Sequence, residues 1–292
     1  MKKKSYFLSL IFLFFIGISC KKKNNLYLGE IQISIDRSLQ SIIKEQLNVF
    51  KAQHKKAKII AHYKSENECI KDVFNEKISL VILARELKEK EKKTFSSFFS
   101  FTPTFIKIAF EPIFIFGHIK NKKKDFTFKK LLSILETPNS HFNIVVEKNS
   151  SIINYLIELT REKKISPYLK NAKDIKSFFH YIASNENTIG FIGLDSFDFQ
   201  DPLYLNAYLN KIEMLWLDST SFKKPPYAFK KTIEEKYNHL LFRPISLILK
   251  ENYIGLAKGI SLFLQNKGQL IFKKAGFIPV QKNYITQEIY LN

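Results

Sequence analysis

Between residues 31 and 50 (IQISIDRSLQSIIKEQLNVF) the hydrophobic period changes from two to about 3.6, and that switch limits the possible folds more than any other feature of the chain. Ile31, Ile33 and Ile35 alternate with polar residues, as one face of a half-buried strand does. After Asp36-Arg37-Ser38, apolar residues return at Leu39, Ile42, Ile43, Leu47 and Phe50 with helical spacing. The same switch recurs along the chain. Strands are expected over 57–64 and 79–85, and helices over 67–77 and 87–99. A second series follows, with helices over 126–135, 150–163 and 172–185 and strands over 141–147, 187–194, 211–218 and 244–250. The Lys223-Lys224-Pro225-Pro226 run reads as a loop, and 255–276 as one long helical stretch before FIPV. Such alternation predicts α/β layers around a largely parallel sheet. The 292 residues suffice for two lobes. Segment 104–118 is too long for an ordinary strand and carries Pro112, so it reads as two strands or as one strand crossing between lobes.

Composition narrows the function. The chain is 45% hydrophobic with 28 Phe, which excludes a disordered polymer. Its net charge of +20 comes mostly from lysines scattered through every segment, so it describes a solvated basic surface better than a nucleic-acid groove. The N-terminus is more specific. MKKK precedes an apolar run, YFLSLIFLFFIGIS, too short to span a bilayer and built like a secretory signal. It ends in Gly17-Ile18-Ser19-Cys20, which resembles a bacterial lipobox. Residues 1–19 are therefore expected to be a signal peptide, and 20–28 a lipidated Cys20 followed by a flexible tether. That predicts an exported lipoprotein on a periplasm-facing membrane surface or in the cell envelope. With Cys20 lipidated, Cys69 is the single cysteine left in the mature body; without a partner it reads as a structural thiol. Ser41-Ile42-Ile43-Lys44 matches S-x-x-K, but no companion motif accompanies it. The six histidines are widely separated, with no metal spacing. Neither an enzyme nor a cofactor or metal is expected.

Five segments in order carry a more specific likeness: ISIDRSLQSIIKEQLNVFKAQHKKAKI, HYKSENECIKDVFNEKISLVILARELKEKEK, NTIGFIGLDSF, RPISLILK and FLQNKGQLIFKKAGFIPV. With these the chain resembles the PstS-like phosphate-binding lipoproteins of ABC importers, in the form common in Bacteroidetes-type bacteria. The resemblance implies a two-lobe periplasmic-binding-protein-like fold (type II) with the ligand cleft between lobes. Lobe 1 would comprise residues 29–111 plus 243–292 and lobe 2 residues 112–242, hinged near Phe110-Glu111-Pro112 and Phe242-Arg243-Pro244. It further implies a monomer that binds inorganic phosphate or a related oxyanion, passes it to an ABC permease and binds no nucleic acid. A non-transport anion sensor or scaffold of the same fold is the alternative.

A desolvated oxyanion needs helix N-terminal amides, hydroxyls and a guanidinium. Three strand-to-helix turns offer the first two: Asp36-Arg37-Ser38, the turn around Ser65, and Asn149-Ser150-Ser151. Each serine reads equally as a helix cap. Arg85 closes a buried strand, which suits a bidentate anion ligand or an ion pair with Glu86 or Glu66. Arg37 is placed to steer or contact the anion, and Arg243 to serve the hinge. One departure stands out. The turn at Glu147-Lys148-Asn149-Ser150-Ser151 lacks the arginine and the glycine that many family members carry there, and Glu147 could accept a ligand proton or repel an anion.

Overall fold

The computed structural model describes residues 25–99, 103–121, 126–137, 142–148, 150–160, 165, 167–196, 208, 210–215, 217, 241–250 and 255–280. The signal segment, Cys20, the tether up to Asn24, Asn149 and the loop at 223–226 lie outside the described residues.

The chain opens with β1 (Gly29–Asp36), a single 3₁₀ turn at Arg37–Leu39, and α1 (Gln40–Gln53). Next come β2 (Ala57–Lys64), α2 (Glu66–Asp72), β3 (Ile78–Leu83) and α3 (Glu89–Phe98). The long segment is one strand, β4 (Thr104–His118). The second series runs α4 (Phe128–Glu136), β5 (Asn143–Glu147), α5 (Ile152–Leu159), β6 (Leu169–Ala172), α6 (Ile175–Ser184) and β7 (Thr188–Gly193). It is followed by β8 (Ile212–Met214), β9 (Leu241–Leu249), α7 (Leu256–Gln265), α8 (Lys267–Lys274) and β10 (Ile278–Pro279).

All the strands join one mixed sheet of order β2-β1-β3-β9-β4-β7-β5-β6, with β8 and β10 also paired to β4. The expectation of a largely parallel sheet needs correcting. Two parallel trios, β2-β1-β3 and β7-β5-β6, are stitched together by the antiparallel pair β4 and β9. Sequence alternation foretold the first trio and β5 and β7 of the second, but not the four-residue β6, and it carries no sign of the direction in which β4 and β9 re-enter. The register of that pair sets Phe110, Glu111 and Pro112 opposite Pro244, Arg243 and Phe242. On its other side β4 pairs with β10 only at 109–110 and with β7 only from 113 onward. Glu111 and Pro112 thus occupy the gap where the sheet passes from one trio to the other, and a proline without an N–H is tolerated there.

One apolar cluster runs through both trios, from Ile33 and Ile35 to Val145 and Phe178, and each trio adds a smaller cluster of its own. Ile33, Ile35, Leu39, Ile43, Phe50 and Phe263 are fully or almost fully buried on the first side, and Leu131, Leu135, Val146, Leu156, Ile189 and Phe191 on the second. Gly190 lets α6 lie directly on β7, since a Cβ there would come 2.4 Å from the Phe178 ring. The expected single helix over 255–276 is two helices. The chain turns at Asn266, whose side-chain amide donates to the Leu262 carbonyl, and α8 then packs against α1 so closely that a Cβ on Gly268 would meet Gln46 Oε1 at 2.4 Å.

Candidate functional site

The C-terminal ends of the two trios face each other beside the β4–β9 crossing, where ligands gather in open α/β sheets. β1 delivers Asp36 and Ser38, α5 begins at Ser151, and β7 ends just before Asp195. The two serine hydroxyls, 113 positions apart in the chain, lie 2.9 Å apart. Arg243 reaches both, donating from Nη1 to Ser151 Oγ at 2.7 Å and from Nη2 to Ser38 Oγ at 3.0 Å. Its Nε donates to Glu111 Oε2 at 2.6 Å, and both side chains of that ion pair are fully buried.

The directions of these bonds follow from the partners. Ser38 Oγ donates to Asp36 Oδ1 at 2.9 Å, and that carboxylate oxygen also accepts the Ser38 amide at 3.0 Å. With its own proton committed to Asp36, Ser38 accepts from Arg243 and from the Ser151 hydroxyl. One relay therefore runs from the guanidinium through two hydroxyls to a fully buried aspartate. It ends on an unmet need: Asp36 Oδ2 is buried without a hydrogen-bond partner among the described residues. A buried acceptor left in that state costs on the order of 1–3 kcal/mol.

A second carboxylate joins the trios. Leu39, at the N-cap position of α1, makes no side-chain cap bond. The free amides of Ser41 and Ile42 instead donate to Asp195 Oδ2 and Oδ1 at 2.8 and 2.7 Å. Asp195 thus caps α1 from more than 150 positions away, and the helix dipole favours its charge. Its own amide donates to Glu111 Oε1 at 3.0 Å. Gly193 makes the room, since a Cβ there would sit 2.4 Å from that oxygen. Burial, followed by repulsion from Glu111, pushes the Asp195 carboxyl up to about 7. Burial also pushes Glu111 up, against the pull of Arg243. Burial alone would lower the Arg243 guanidinium, but Glu111 and Asp36 outweigh it and keep it charged.

The expected site residues divide sharply. Ser38 and Ser151 meet, with Asp36 behind them. Ser150 acts locally, its Oγ accepting the Ile152 amide at 3.2 Å. Ser65 also acts locally, bonding Glu68 through both its amide and its hydroxyl as a capping box. Arg37 is exposed and donates to the Tyr63 carbonyl at 3.3 Å. Arg85 is taken up by carboxylates, Glu66 at 2.7 Å through Nε and Glu91 at 2.8 Å through both terminal nitrogens. Its guanidinium is already satisfied and does not join the serine cluster. Asn149 lies outside the described residues. Glu147 ends β5, and burial pushes its carboxyl up despite a hydrogen bond to Ser196.

Three members of the cluster were not foreseen as site residues: Glu111, Asp195 and Arg243. Arg243 was assigned to the hinge because the strand was expected to start at Pro244. In fact β9 begins at Leu241, and β3 pairs with it only from Ser246, so among the described residues Pro244 has a neighbour strand on one side alone. A signal was available. Glu111 is the one acidic residue within the run 104–118, and Arg243 is one of four arginines in a chain whose cations are mostly lysine. Among the described residues no three His, Cys, Asp or Glu side chains gather as metal ligands would.

Two parallel trios bridged by a pair of crossing strands, with polar side chains from both converging at the bridge, define a two-lobed binding fold of the type-II kind. A family model described as a PBP superfamily domain matches residues 24–264, and the chain belongs to that family. No curated protein matches the sequence. Among solved structures, an ABC-type phosphate transport receptor from Vibrio cholerae is similar at TM-score 0.62 and 17% identity, over 86% of this chain and 100% of that one. A structure from Clostridium perfringens, described as a phosphate ABC transporter substrate-binding protein with bound phosphate, matches at TM-score 0.62 and 19% identity, over 87% and 100%. The OxyR2 regulatory domain from Vibrio vulnificus matches at TM-score 0.52 and 11% identity, over 84% and 97%. At these identities the likeness is one of fold.

Proposed function

We propose that the chain is the substrate-binding protein of an ABC importer, taking phosphate or a similar hydrogen-bearing oxyanion between its lobes and passing it to a permease. Lipid on Cys20 would hold it at a periplasm-facing membrane surface. The observation that carries the reading is the contact of Arg243 with Ser38 and Ser151. One guanidinium and two hydroxyls from opposite lobes converge on one point, and a tetrahedral anion entering there exchanges hydroxyl–hydroxyl contact for charge-assisted bonds. The unmet Asp36 Oδ2 supplies the selectivity. It needs a donor, which hydrogen phosphate or arsenate has and sulfate lacks near neutral pH. The solved neighbours described as phosphate receptors agree with this assignment.

The electrostatics refine it. One guanidinium faces Asp36, Glu111 and Asp195, so a fully deprotonated anion is opposed unless a carboxyl takes up a proton. Asp195, pushed up to about 7, is the carboxyl that takes up a proton most easily near neutrality. Calorimetric titration of the mature chain with phosphate, arsenate, sulfate and molybdate tests the proposal. Phosphate and arsenate should bind and sulfate should not; heat from none of the four would refute it.

A second reading has one observation in its favour. The regulatory domain of OxyR2 shares the fold over nearly its whole length, so an anion sensor without transport is compatible with the same cleft. Co-purification with a permease separates the two.

A further inference from the structure

We propose that the pole of lobe 1 opposite the cleft docks on an anionic lipid surface, so that the body itself, and not only its tether, engages the membrane. The proposal rests on the reading of Cys20 as a lipid anchor for the membrane's relevance, but not for its test.

The geometry begins with the segment just before β1. Leu26 crosses α7 with its carbonyl pressed against Gly259, where a Cβ would lie 1.8 Å from that oxygen. The Tyr27 ring then stacks on His54 at 4.2 Å, just past the end of α1. β1 leaves this place and runs its eight residues to Asp36, about 25 Å away at strand rise. The chain therefore enters the fold at the end of lobe 1 farthest from the serine cluster. Five residues separate Cys20 from Leu26, a reach of at most about 20 Å. Lipid on Cys20 would keep this pole within that distance of the bilayer.

The pole is suited to such a neighbour. Residues 46–59 contribute Lys51, Lys55, Lys56 and Lys58, all exposed, and contain no Asp or Glu. Residues 255–280 contain no acid either, and place Lys258 beside the Leu26 crossing and exposed Lys267 against the end of α1, its Nζ 3.4 Å from Gln53 Oε1. Among the described residues the exposed acids bordering these segments are Glu30, Glu45 on α1 and Glu76. Amid the lysines stand two exposed apolar side chains, Tyr27 at 47% and Leu28 at 48%. Basic charge around a small apolar projection is the chemistry of an interfacial contact with acidic headgroups. A lone lipid anchor gains most from such a second contact, because it replaces free tumbling on a tether with one resting orientation, cleft outward to collect ligand. The contact has to be released when the cleft turns to the permease, which suits a weak, salt-sensitive electrostatic one.

The test uses the unlipidated mature chain carrying Cys20→Ser, with vesicles of phosphatidylcholine alone or mixed with phosphatidylglycerol. Sedimentation should show binding to the mixed vesicles only, weakened at least tenfold between 50 and 200 mM salt. Reversal of Lys51, Lys55, Lys56 and Lys267 to Glu should weaken it at least tenfold, with the melting curve and phosphate titration unchanged. Unchanged vesicle binding in that variant would assign the effect to the tether lysines and overturn the proposal, as would equal binding to neutral vesicles. Binding to polyglutamate with none to vesicles would make the face a protein contact and overturn it as well. Phosphate titration of the same samples keeps this outcome separate from failure of the proposed function.

Discussion

Replacing Arg243 with Met separates what the guanidinium does for the fold from what it does for a ligand. The side chain is fully buried and donates to Glu111, Ser38 and Ser151. Its removal leaves Glu111, also fully buried, with one backbone donor and with Asp36 and Asp195 as negative neighbours. Breaking a buried pair on one side costs about 3–5 kcal/mol. For a chain of this size that corresponds to a fall in melting temperature of roughly 6–20 °C. Adding Glu111→Gln removes the stranded charge, and the double variant should recover most of the loss, because an uncharged pair of similar volume is often as stable as the buried ion pair. Phosphate binding should be absent from both variants, since neither holds a cation at the serine cluster. Urea unfolding and calorimetric titration on the same samples read the two effects apart. A single variant as stable as the wild type would refute the energetic argument. A double variant that binds phosphate with unchanged affinity would refute the assignment of the anion to Arg243.

Three further outcomes follow from the same geometry. Ser38→Ala and Ser151→Ala should each weaken phosphate binding by about 1–3 kcal/mol, and the double variant by less than the sum, because each hydroxyl loses its partner when the other goes; strict additivity in calorimetry would break the relay. Asp195 titrates near 7 in the folded chain against about 4 when unfolded, so its charge opposes folding and the cost accumulates as pH rises from about 4 through 7. Asp195→Asn should flatten that slope in urea midpoints measured across the range, and an identical slope would remove Asp195 as its source. Burial pushes the Cys69 thiol up to about 12, so it should not react with a thiol reagent at pH 8 until the chain is unfolded; rapid reaction of the native chain would contradict its enclosure by Ser34 and the core of α2 and β3.

The opening switch of hydrophobic period and its repeats made the first trio, β5, β7 and the covering helices legible, because burial of one face imposes a period whatever the remote context. β6, four residues with one buried, carries no such period and was not foreseen. The two central serines could be named for a similar reason. Strand-to-helix turns are local objects, and Ser38 and Ser151 stand in two of them. What local reading could not decide was which group of each turn would cap and which would face the cleft. In the first turn the Ser38 amide and hydroxyl both donate to Asp36, and the hydroxyl oxygen still accepts from across the cleft. In the other, Ser150 caps and Ser151 reaches. The choice depends on where the opposite lobe lies. Arg85 failed for the complementary reason: an arginine at a buried strand end demands a carboxylate, and Glu66 and Glu91 meet that demand inside one lobe. Arg243 and Glu111 are 132 positions apart, and only the register of β9 on β4 makes them partners. Asp195 is more remote still from the helix it caps. The turn at Glu147-Lys148-Asn149-Ser150-Ser151 lacks the arginine and the glycine that many family members carry there. Arg243, carried by the bridge between lobes, places a guanidinium against both serines from the other direction, so lobe closure and anion binding would rest on one side chain.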